Sequence, residues 1–384
     1  MHGQQHSQRS MVGLGGASAR AVYRDLLRFG PRSRRDLTRR LGLSAPTVTR
    51  VTRELLEGGH LHSLETVAPT KGRPQEPLDV EERHGPRFVG VKVTADEVHA
   101  VVTTVRGNTL EELAVPLADT AVPAVVEAVL ELATALIEAH PHVAVVGISV
   151  GGVVASGRTV LSCHYLGWRD PVELADLLAA CLDVPVVVEN DLVAMVHGLH
   201  WFGVGRAYRS FAVLTIGAGV GSATVVDGRL IRGERDVAGL TGRFPVGTRE
   251  DGSPVLLSDV ASTAPLLQRA RARGVLGPEE SLAQLRELLA AGHAGAHALA
   301  AEVTRALAHT AAGIMALVDP QALILGGEGV DIIAAADPLF EQTLRAMLPQ
   351  MQRDLVLRRL SGDFDEWARG AAVIAITAYV GAPG

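Results

Sequence analysis

Residues 143–152 read VAVVGISVGG, a short apolar run that ends in two glycines. Because it is rich in valine and isoleucine and is followed directly by glycine, it predicts a strand buried on both faces, with a turn at its carboxyl end. A second run, VPVVV, precedes Glu-Asn-Asp at positions 189–191. Ligands of α/β proteins bind beyond the carboxyl ends of parallel strands. The residues predicted to bind a ligand here are Gly151, Gly152, Asn190 and Asp191.

Asp191 is the charged member of this set, and two roles suit it. As a ligand residue, it accepts a hydrogen bond from a hydroxyl group or removes its proton as a general base. As a structural residue, it caps the helix predicted at 191–201. The two roles are compatible, and the pattern alone does not separate them.

Strand and helix patterns alternate along most of the chain, which favours an α/β layered body with two lobes. Strands are predicted at 88–93, 98–105, 143–150, 184–188, 211–216, 222–227 and 322–325. Helices are predicted at 122–140, 174–182, 191–201 and 368–380, with a mostly helical region at 261–318.

A glycine-rich turn, TIGAGVGS at residues 215–222, lies between two of these strands. Glycine lets the backbone approach an anion and point N–H groups at it. The same glycines also suit a tight hairpin with positive φ. Gly217 and Gly219 are therefore candidate ligand residues, although the phosphate-binding signature GxxxxGK[ST] is absent from the sequence.

The first eighty residues have a different pattern, that of a winged helix-turn-helix. Helices are predicted at 18–29, 34–41 and 45–57 from their apolar spacing and their capping residues. Gly42 supplies a tight turn between the second and third helices, as the helix-turn-helix pattern requires. A hairpin, the wing, is predicted after the third helix.

Polar residues on the third helix and on the wing suit contacts to DNA bases and phosphates. The alternative for the same helices is a small protein-interaction module. The candidate DNA-binding residues are Ser44, Ala45, Thr47, Thr49, Arg50, Arg53, Lys71, Gly72 and Arg73.

Charge agrees with this division of the chain. Residues 20–73 contain twelve Arg and Lys against five Asp and Glu, a net charge of +7, whereas the 384-residue chain carries −6. A basic segment on an acidic body indicates a polyanionic partner for that segment, and the alternative on charge alone is a solvated helical face. The two cysteines exclude a disulfide framework, and the sequence has neither a secretory signal pattern nor a bilayer-spanning run, so we expect a cytoplasmic protein with no membrane partner.

After the helix-turn-helix pattern, five motifs follow one another along the chain: GISVGG (147–152), LGW (166–168), END (189–191), TIGAGVG (215–221), and the segment from Asp319-Pro320 to Gly326-Gly327. Taken in order, these motifs resemble the ROK family of bacterial sugar kinases and sugar-responsive repressors. The resemblance covers nearly the whole chain after the first twenty residues and implies an actin-like, hexokinase-type fold with a ligand cleft between its lobes. The basic segment matches the repressor branch.

Two departures from the family pattern concern catalysis and metal binding. Kinases of the family open the first lobe with an Asp and a Gly-Gly-Thr turn, where this chain has GVKVTAD at 90–96 with Lys92 at the Asp position. Without that turn the phosphates lack a cradle, so we expect no kinase activity and no catalytic residue. The family's zinc-binding His is Arg243 here, and no cysteine follows in 246–260, so neither a metal nor a cofactor is expected.

The sugar contacts of the family are also reduced. The Glu of its Gly-Glu-Ile-Gly-His stretch is replaced by Leu240, and the Asn that commonly precedes Leu-Gly-Trp is Tyr165. Arg243 adds a fixed positive charge that suits an anion. A phosphorylated or acidic sugar derivative and complete loss of effector binding both remain open.

The sequence therefore predicts a sequence-specific DNA-binding regulator, a repressor of sugar metabolism or transport genes that senses a sugar or sugar derivative. It would bind a palindromic operator as a homodimer or homotetramer. The alternatives are an effector-independent DNA-binding regulator and an active ROK sugar kinase. The predicted divisions are a disordered tail (1–17), a winged helix-turn-helix (18–83), one lobe (84–205 with 368–384) and a second lobe (206–367).

Overall fold

The computed structural model describes residues 14–65, 76–360 and 365–381, and for residues 365 and 366 it describes only the backbone. The chain divides into two compact units. Unit 1 comprises the described residues of Met1–Val204 and Asp365–Gly384, and unit 2 comprises those of Gly205–Phe364. Most of the tail predicted at 1–17 lies outside the described residues.

The described parts of the chain contain thirteen α-helices. They are α1 (Ala17–Phe29), α2 (Arg34–Leu41), α3 (Ala45–Glu57), α4 (Val122–Ala139), α5 (Leu174–Ala179), α6 (Asp191–Trp201), α7 (Leu257–Ala261), α8 (Thr263–Ala272), α9 (Leu282–Ala290), α10 (Ala294–Val318), α11 (Val330–Ala334), α12 (Leu339–Met347) and α13 (Asp365–Val380). Within the same residues, no helix is both long enough and apolar enough to cross a bilayer.

Sixteen strands occur in the same described segments. They are β1 (Leu61–Ser63), β2 (Leu78–Val80), β3 (Arg87–Val93), β4 (Glu97–Thr103), β5 (Thr109–Pro116), β6 (Val143–Val150), β7 (Val153–Ala155), β8 (Thr159–Ser162), β9 (Val186–Asn190), β10 (Phe211–Ile216), β11 (Val220–Val226), β12 (Arg229–Leu230), β13 (Pro245–Thr248), β14 (Pro254–Leu256), β15 (Ala322–Gly326) and β16 (Val356–Arg359).

Each unit is built on a five-stranded mixed sheet, and the two sheets have the same topology. In unit 1 the order is β5-β4-β3-β6-β9, with β3, β4 and β5 antiparallel and β3, β6 and β9 parallel. In unit 2 the order is β12-β11-β10-β15-β16, again with three antiparallel strands followed by two parallel ones. This repeat of topology is not visible as a strict repeat in the sequence.

Helices cover both faces of the sheet of unit 1. Val89, Val91 and Val93 of β3 belong to the core cluster that contains the apolar faces of α4 and α5. Phe88, on the other face, belongs to the cluster that contains α1 and α13. Because side chains alternate along a strand, Lys92 lies on the same face as Phe88, towards α13.

Two glycines allow α13 to lie directly on this sheet. Gly90 of β3 and Gly147 of β6 are register partners in neighbouring parallel strands. A methyl group on Gly90 would lie 2.2 Å from the Ala372 nitrogen, and one on Gly147 would lie 2.1 Å from the Ala371 carbonyl oxygen. The close approach of backbone to backbone therefore requires glycine at both positions.

The N-terminal segment, defined here as residues 14–65 and 76–80, contains three helices and a two-stranded sheet. The bounds of α1, α2 and α3 agree with the predicted helices to within one residue. Ser33 Oγ accepts the Asp36 N–H at 3.2 Å, and Ser44 Oγ accepts the Thr47 N–H at 3.3 Å, so both predicted caps are formed. Gly42 ends α2 in the left-handed region with a φ of 64°, which sets the turn into α3.

After α3, strand β1 pairs antiparallel with β2. The residues between these strands include 66–75, which lie outside the described residues. The predicted wing contacts Lys71, Gly72 and Arg73 belong to that stretch.

The N-terminal segment shares its hydrophobic core with the rest of unit 1. Tyr23, Leu26 and Leu27 of α1 belong to one buried cluster with Trp201 of α6 and Ile376 of α13. Polar contacts cross the same boundary, since Arg106 makes an ion pair with Asp79 and its Nη1 donates to the Leu27 carbonyl oxygen at 3.4 Å. Both apolar and ionic contacts therefore anchor the helices of this segment on the rest of unit 1.

The end of α6 carries a buried histidine at this boundary. The His200 carbonyl oxygen accepts a hydrogen bond from Arg28 Nη2 at 3.1 Å. Burial, together with the Arg28 charge, lowers the pKa of the His200 imidazole to about 4. The folded state thus holds His200 neutral at pH values where the unfolded chain, with an ordinary histidine pKa near 6.5, already binds a proton.

Stability should therefore fall as the pH falls from about 6.5 to about 4, and this group should account for about 3 kcal/mol over the full range. His200→Gln removes the titrating group, so we expect the variant to lose less stability than the wild type between pH 7 and pH 4.5. Urea unfolding at the two pH values measures both. Equal losses in the two proteins would mean that acid sensitivity arises elsewhere.

Several strands have no counterpart among the predicted elements. The edge strand β5 is the longest of these, and most of its residues are exposed, so it lacks the apolar alternation that identifies a half-buried strand. Helix α5 is also shorter than predicted, since it ends at Ala179 rather than at residue 182. The return strand β11 begins two residues earlier than predicted, at Val220.

Candidate functional site

The carboxyl ends of three parallel strands meet in unit 1. Lys92 of β3 is the register partner of Ser149 in β6, which in turn pairs with Glu189 of β9. These three polar residues lie side by side at the carboxyl ends of the parallel strands, and all three are buried. Helix α6 begins directly after β9, so Asn190 and Asp191 lie at the same edge.

An ion pair joins two of these elements. Lys92 Nζ donates to Asp191 Oδ2. The Lys92 ammonium also lies 5.0 Å from the ring centroid of Trp367 at the start of α13. Lys92 is only 5% exposed, whereas the Asp191 side chain is 22% exposed. We call Lys92, Asn190, Asp191 and Trp367 the strand-end cluster.

In the Lys92–Asp191 pair, the ammonium and the carboxylate compensate each other's charge in a mostly buried position. Breaking a buried pair by removing one partner typically costs about 3–5 kcal/mol, because the other charge is left without compensation. The first turn of α6 favours the Asp191 carboxylate through the helix dipole, and the Trp367 ring favours the ammonium. The pair is therefore stabilised from both sides.

Asn190, rather than Asp191, is the N-cap of α6. Its Oδ1 accepts the Val193 N–H at 3.2 Å, and its Nδ2 donates to the Gly152 carbonyl oxygen at 2.8 Å. Asp191 is the first residue of the helix, so the alternative capping role considered for it belongs to its neighbour. The amide of Asn190 thus links β9 to the turn after β6.

Gly151 and Gly152 form that turn, next to the strand-end cluster. A methyl group on Gly151 would lie 3.0 Å from the Tyr165 ring and 3.3 Å from Asp191 Oδ2. The fold of unit 1 therefore brings Gly151, Gly152, Asn190 and Asp191 together, as the position of their strands predicts. Tyr165, which is partly exposed, lies beside them.

The glycine-rich turn lies in unit 2 and forms the hairpin between β10 and β11. The Gly217 N–H donates to the Gly219 carbonyl oxygen at 2.9 Å. The Glu328 side chain lies against this turn, since a methyl group on Gly217 would be 3.1 Å from Glu328 Oε1. A carboxylate at this distance repels a phosphate, so the hairpin role of these glycines fits the geometry better than an anion cradle.

Arg243 also lies in unit 2, in the short 3-10 turn Thr241–Arg243. Its side chain is exposed, as is that of Leu240. An exposed guanidinium offers the fixed positive charge that suits an anion.

The candidate DNA-binding residues of the described chain lie on or beside α3. Thr49, Arg50 and Arg53 are exposed, and Ser44 and Ala45 mark the exposed start of the helix, with Thr47 half-buried one turn later. Arg50 Nη1 lies 2.8 Å from Glu54 Oε1, and Arg53 Nε lies 3.8 Å from Glu57 Oε1. Exposed pairs of this kind contribute only about 0.3–0.5 kcal/mol, so both guanidinium groups are readily available to a stronger anion.

Three side chains that shape these sites were not among the predicted site residues. Lys92 was recognised as a departure from the family pattern, but its partner was not, and neither Trp367 nor Glu328 was singled out. A lysine within an apolar strand is the one sequence signal that indicates the pair, because a buried lysine requires a partner. Over the described segments, no group of three or more His, Cys, Asp or Glu side chains is arranged to hold a metal ion.

Comparison with known proteins gives both regulators and enzymes. A transcriptional regulator of Mycobacterium tuberculosis, Rv0485, is 27% identical over 334 residues, which are 82% of this chain and 75% of that protein. The bifunctional enzyme NanE/NanK of Brucella melitensis is 32% identical over 186 residues, which are 48% of this chain and 35% of that protein. The chain thus spans about a third of the length of this enzyme.

Among solved structures, a ROK family transcriptional regulator described as a homologue of the E. coli MLC protein is similar with a TM-score of 0.79 and 23% identity. The match covers 94% of this chain and 96% of that chain, which shows that the two share a fold. The predicted α/β fold class, with its actin-like body, is confirmed at this level.

The family model described as ROK matches residues 88–377. This range runs from β3 in unit 1, through the whole of unit 2, and back to α13. The chain therefore belongs to the ROK family.

Proposed function

We propose that this chain is a DNA-binding transcriptional regulator in which residues 18–83 form a winged helix-turn-helix domain. The observation that carries the proposal is the geometry of α2 and α3, joined by Gly42 and capped by Ser44, with the polar face of α3 exposed. A helix with this polar face enters the major groove in helix-turn-helix proteins. The likeness to a mycobacterial regulator over most of the chain supports it.

In this proposal, Thr47, Thr49 and Arg50 face base edges, while Arg53 and the wing residues Lys71, Gly72 and Arg73 contact the backbone or the minor groove. Small hydroxyls and arginine at the N-terminal part of a helix match what the major groove offers. The +7 charge of residues 20–73 supplies the general attraction to phosphate.

The regulator would act as a repressor of sugar metabolism or transport genes in the cytoplasm. A homodimer or homotetramer would read a palindromic operator whose half-sites lie about one helical turn, roughly 34 Å, apart. The remaining divisions are two lobes, the first comprising residues 84–205 with 368–384 and the second residues 206–367. The proposed ligand is a sugar or sugar derivative. The candidate residues that would bind it are Gly151, Gly152, Asn190 and Asp191 in the first lobe, and Gly217, Gly219 and Arg243 in the second.

The same chain would carry out no phosphoryl transfer. A general base acts only when its carboxylate is free to take a proton from a positioned hydroxyl, and here Asp191 is held by Lys92. A phosphate cradle in unit 2 would have to tolerate Glu328 beside Gly217. An ATP-dependent phosphorylation assay on a panel of sugars tests this point, and turnover above background would contradict it.

A second candidate function is an effector-independent DNA-binding regulator. It is favoured by the partners that Asn190 and Asp191 already have within the chain, and by the apolar Leu240. Melting-shift measurements with neutral and phosphorylated sugars separate the two candidates. A folded protein that responds to none of them while binding DNA would support the second.

The DNA-binding proposal predicts that Arg50→Ala weakens binding to fragments of the DNA that flanks its gene. Loss of a specific arginine contact typically costs about 1–3 kcal/mol, so we expect roughly a tenfold or larger increase in Kd. If Arg50 also contacts phosphate, the dependence of binding on salt should become shallower. Fluorescence anisotropy at several salt concentrations measures both effects.

Arg209→Ala is the matched control. Arg209 is 76% exposed and is paired with Asp227 at 2.9 Å, as Arg50 is paired with Glu54, but it belongs to unit 2. This substitution should leave the affinity for DNA within twofold of the wild type. If both variants bind like the wild type, α3 is not the DNA-reading helix.

A further inference from the structure

Both carboxylate oxygens of Asp191 have partners within the chain. Lys92 Nζ donates to Oδ2, and the Leu192 N–H donates to Oδ1 at 2.8 Å. The Asn190 amide also has two partners within the chain, because its Oδ1 accepts the Val193 N–H and its Nδ2 donates to the Gly152 carbonyl oxygen. Each polar atom that would meet a hydroxyl of a ligand thus already has one partner within the chain, and at Asp191 Oδ2 that partner is a cation.

Lys92 has no easy alternative position. It projects from β3, the middle strand of the five-stranded sheet of unit 1. It is almost fully buried, and the Trp367 ring lies against its ammonium. If the ammonium moved away, the carboxylate would be left uncompensated in a position that is only partly open to water. A neutral hydroxyl donates a weaker hydrogen bond to a carboxylate than an ammonium does, so a neutral sugar cannot displace Lys92 at equal geometry.

The pair also connects the two helices that reach the N-terminal segment. Asp191 begins α6, which ends at Trp201 in the cluster shared with α1. Trp367 lies at the start of α13, whose Tyr379 hydroxyl is 3.5 Å from His60 Nδ1 in the N-terminal segment. The Lys92 side chain therefore makes two contacts at the strand ends, one at the start of each helix.

We propose that Lys92 is a tethered cation that occupies the hydroxyl-accepting position of Asp191 and thereby excludes neutral sugars from the strand-end cluster. The contact that a hydroxyl of a ligand would make with Oδ2 is made here by the chain itself. Unit 1 is thus held in one arrangement of α6 and α13 without a ligand. This inference rests on the proposed ligand role of Asp191 and restricts that role to ligands other than neutral sugars, so Lys92 is the residue that determines specificity at this site.

Calorimetric titration of the full-length protein with D-glucose, D-mannose, N-acetyl-D-glucosamine and D-xylose tests the inference. Lys92→Ala opens space beside Asp191 and frees Oδ2, so we expect it to bind at least one of these sugars at least tenfold more tightly than the wild type. Lys92→Arg keeps a cation and should behave like the wild type. Lys92→Ala combined with Asp191→Ala should lose the gain.

Equal affinities of Lys92→Ala and the wild type, including the absence of binding by both, would overturn the inference. A gain that persists without Asp191 would overturn it as well. Should Lys92→Ala fail to fold, Lys92→Met keeps most of the length of the side chain, removes its charge and its N–H donors, and is subject to the same expectation. Because no DNA is present in the titration, its outcome is independent of the Arg50 experiment that tests the DNA-binding proposal.

Discussion

Gly147→Ala should lower the free energy of unfolding by about 3 kcal/mol or more, at the upper end of what overpacking a core costs. The added methyl carbon would lie 2.1 Å from the Ala371 carbonyl oxygen and 3.2 Å from the Ala375 nitrogen. Both atoms belong to the backbone of α13, so no side chain can rotate to make room. The helix has to move away from the sheet as a body, which disturbs the strand-end cluster at its start. Urea unfolding followed by circular dichroism measures the loss.

Gly313→Ala is the control for this substitution. Gly313 lies within α10, and apart from its chain neighbours and the adjacent backbone of its own helix, a methyl group there would meet no heavy atom of the described residues within 4 Å. Since alanine is favoured over glycine inside a helix by up to about 1 kcal/mol, this variant should be as stable as the wild type or slightly more stable. Similar small effects of the two substitutions would contradict the close packing of α13 on β6.

The elements that were predicted accurately are those with local start and stop signals. Helix α3 has Ser44 before it and Gly58 after it, and the predicted bounds 45–57 are those observed. Helix α6 was likewise predicted at 191–201, directly after a buried strand. In both cases the deciding residues are within four positions of the helix end, so a local reading of the sequence suffices.

The elements that were missed depend on partners elsewhere in the chain. Strand β5 exposes most of its side chains and is a strand because it pairs with β4 at the edge of the sheet. Its Glu111 and Glu112 point to a loop or an exposed helix face as readily as to a strand. Only the pairing, which the sequence pattern does not contain, decides between them.

In the candidate ligand site, too, some features follow from the local sequence and others depend on distant parts of the chain. Gly151, Gly152, Asn190 and Asp191 were predicted as ligand residues because they follow buried strands, and the general topology of α/β proteins is enough for that prediction. The Lys92–Asp191 pair joins residues 99 positions apart, and the approach of Trp367 depends on how α13 returns to unit 1. The packing of distant segments decides which polar atoms of the site already have partners within the chain. Those partners change what the site can bind.

Trp201→Ala should lower the free energy of unfolding by about 3–5 kcal/mol, as is typical when a buried tryptophan is truncated. Trp201 is buried at the end of α6 in the cluster shared with α1, and the Arg28 guanidinium lies 5.5 Å from its ring centroid. Because the lost contacts belong to both the N-terminal segment and the rest of unit 1, we expect amide hydrogen exchange to accelerate in α1 as well as in α6. Exchange followed by mass spectrometry resolves the two helices.

Leu317→Ala provides the comparison, since Leu317 is 80% exposed on α10 and its truncation removes little buried surface. That variant should leave exchange in α1 and α6 unchanged. If α1 exchanges at the wild-type rate in Trp201→Ala, the N-terminal segment opens independently of α6, and a ligand at the strand-end cluster has no route through this helix to DNA. If both helices accelerate together, α6 energetically connects Asp191 at one end with the proposed DNA-binding segment at the other.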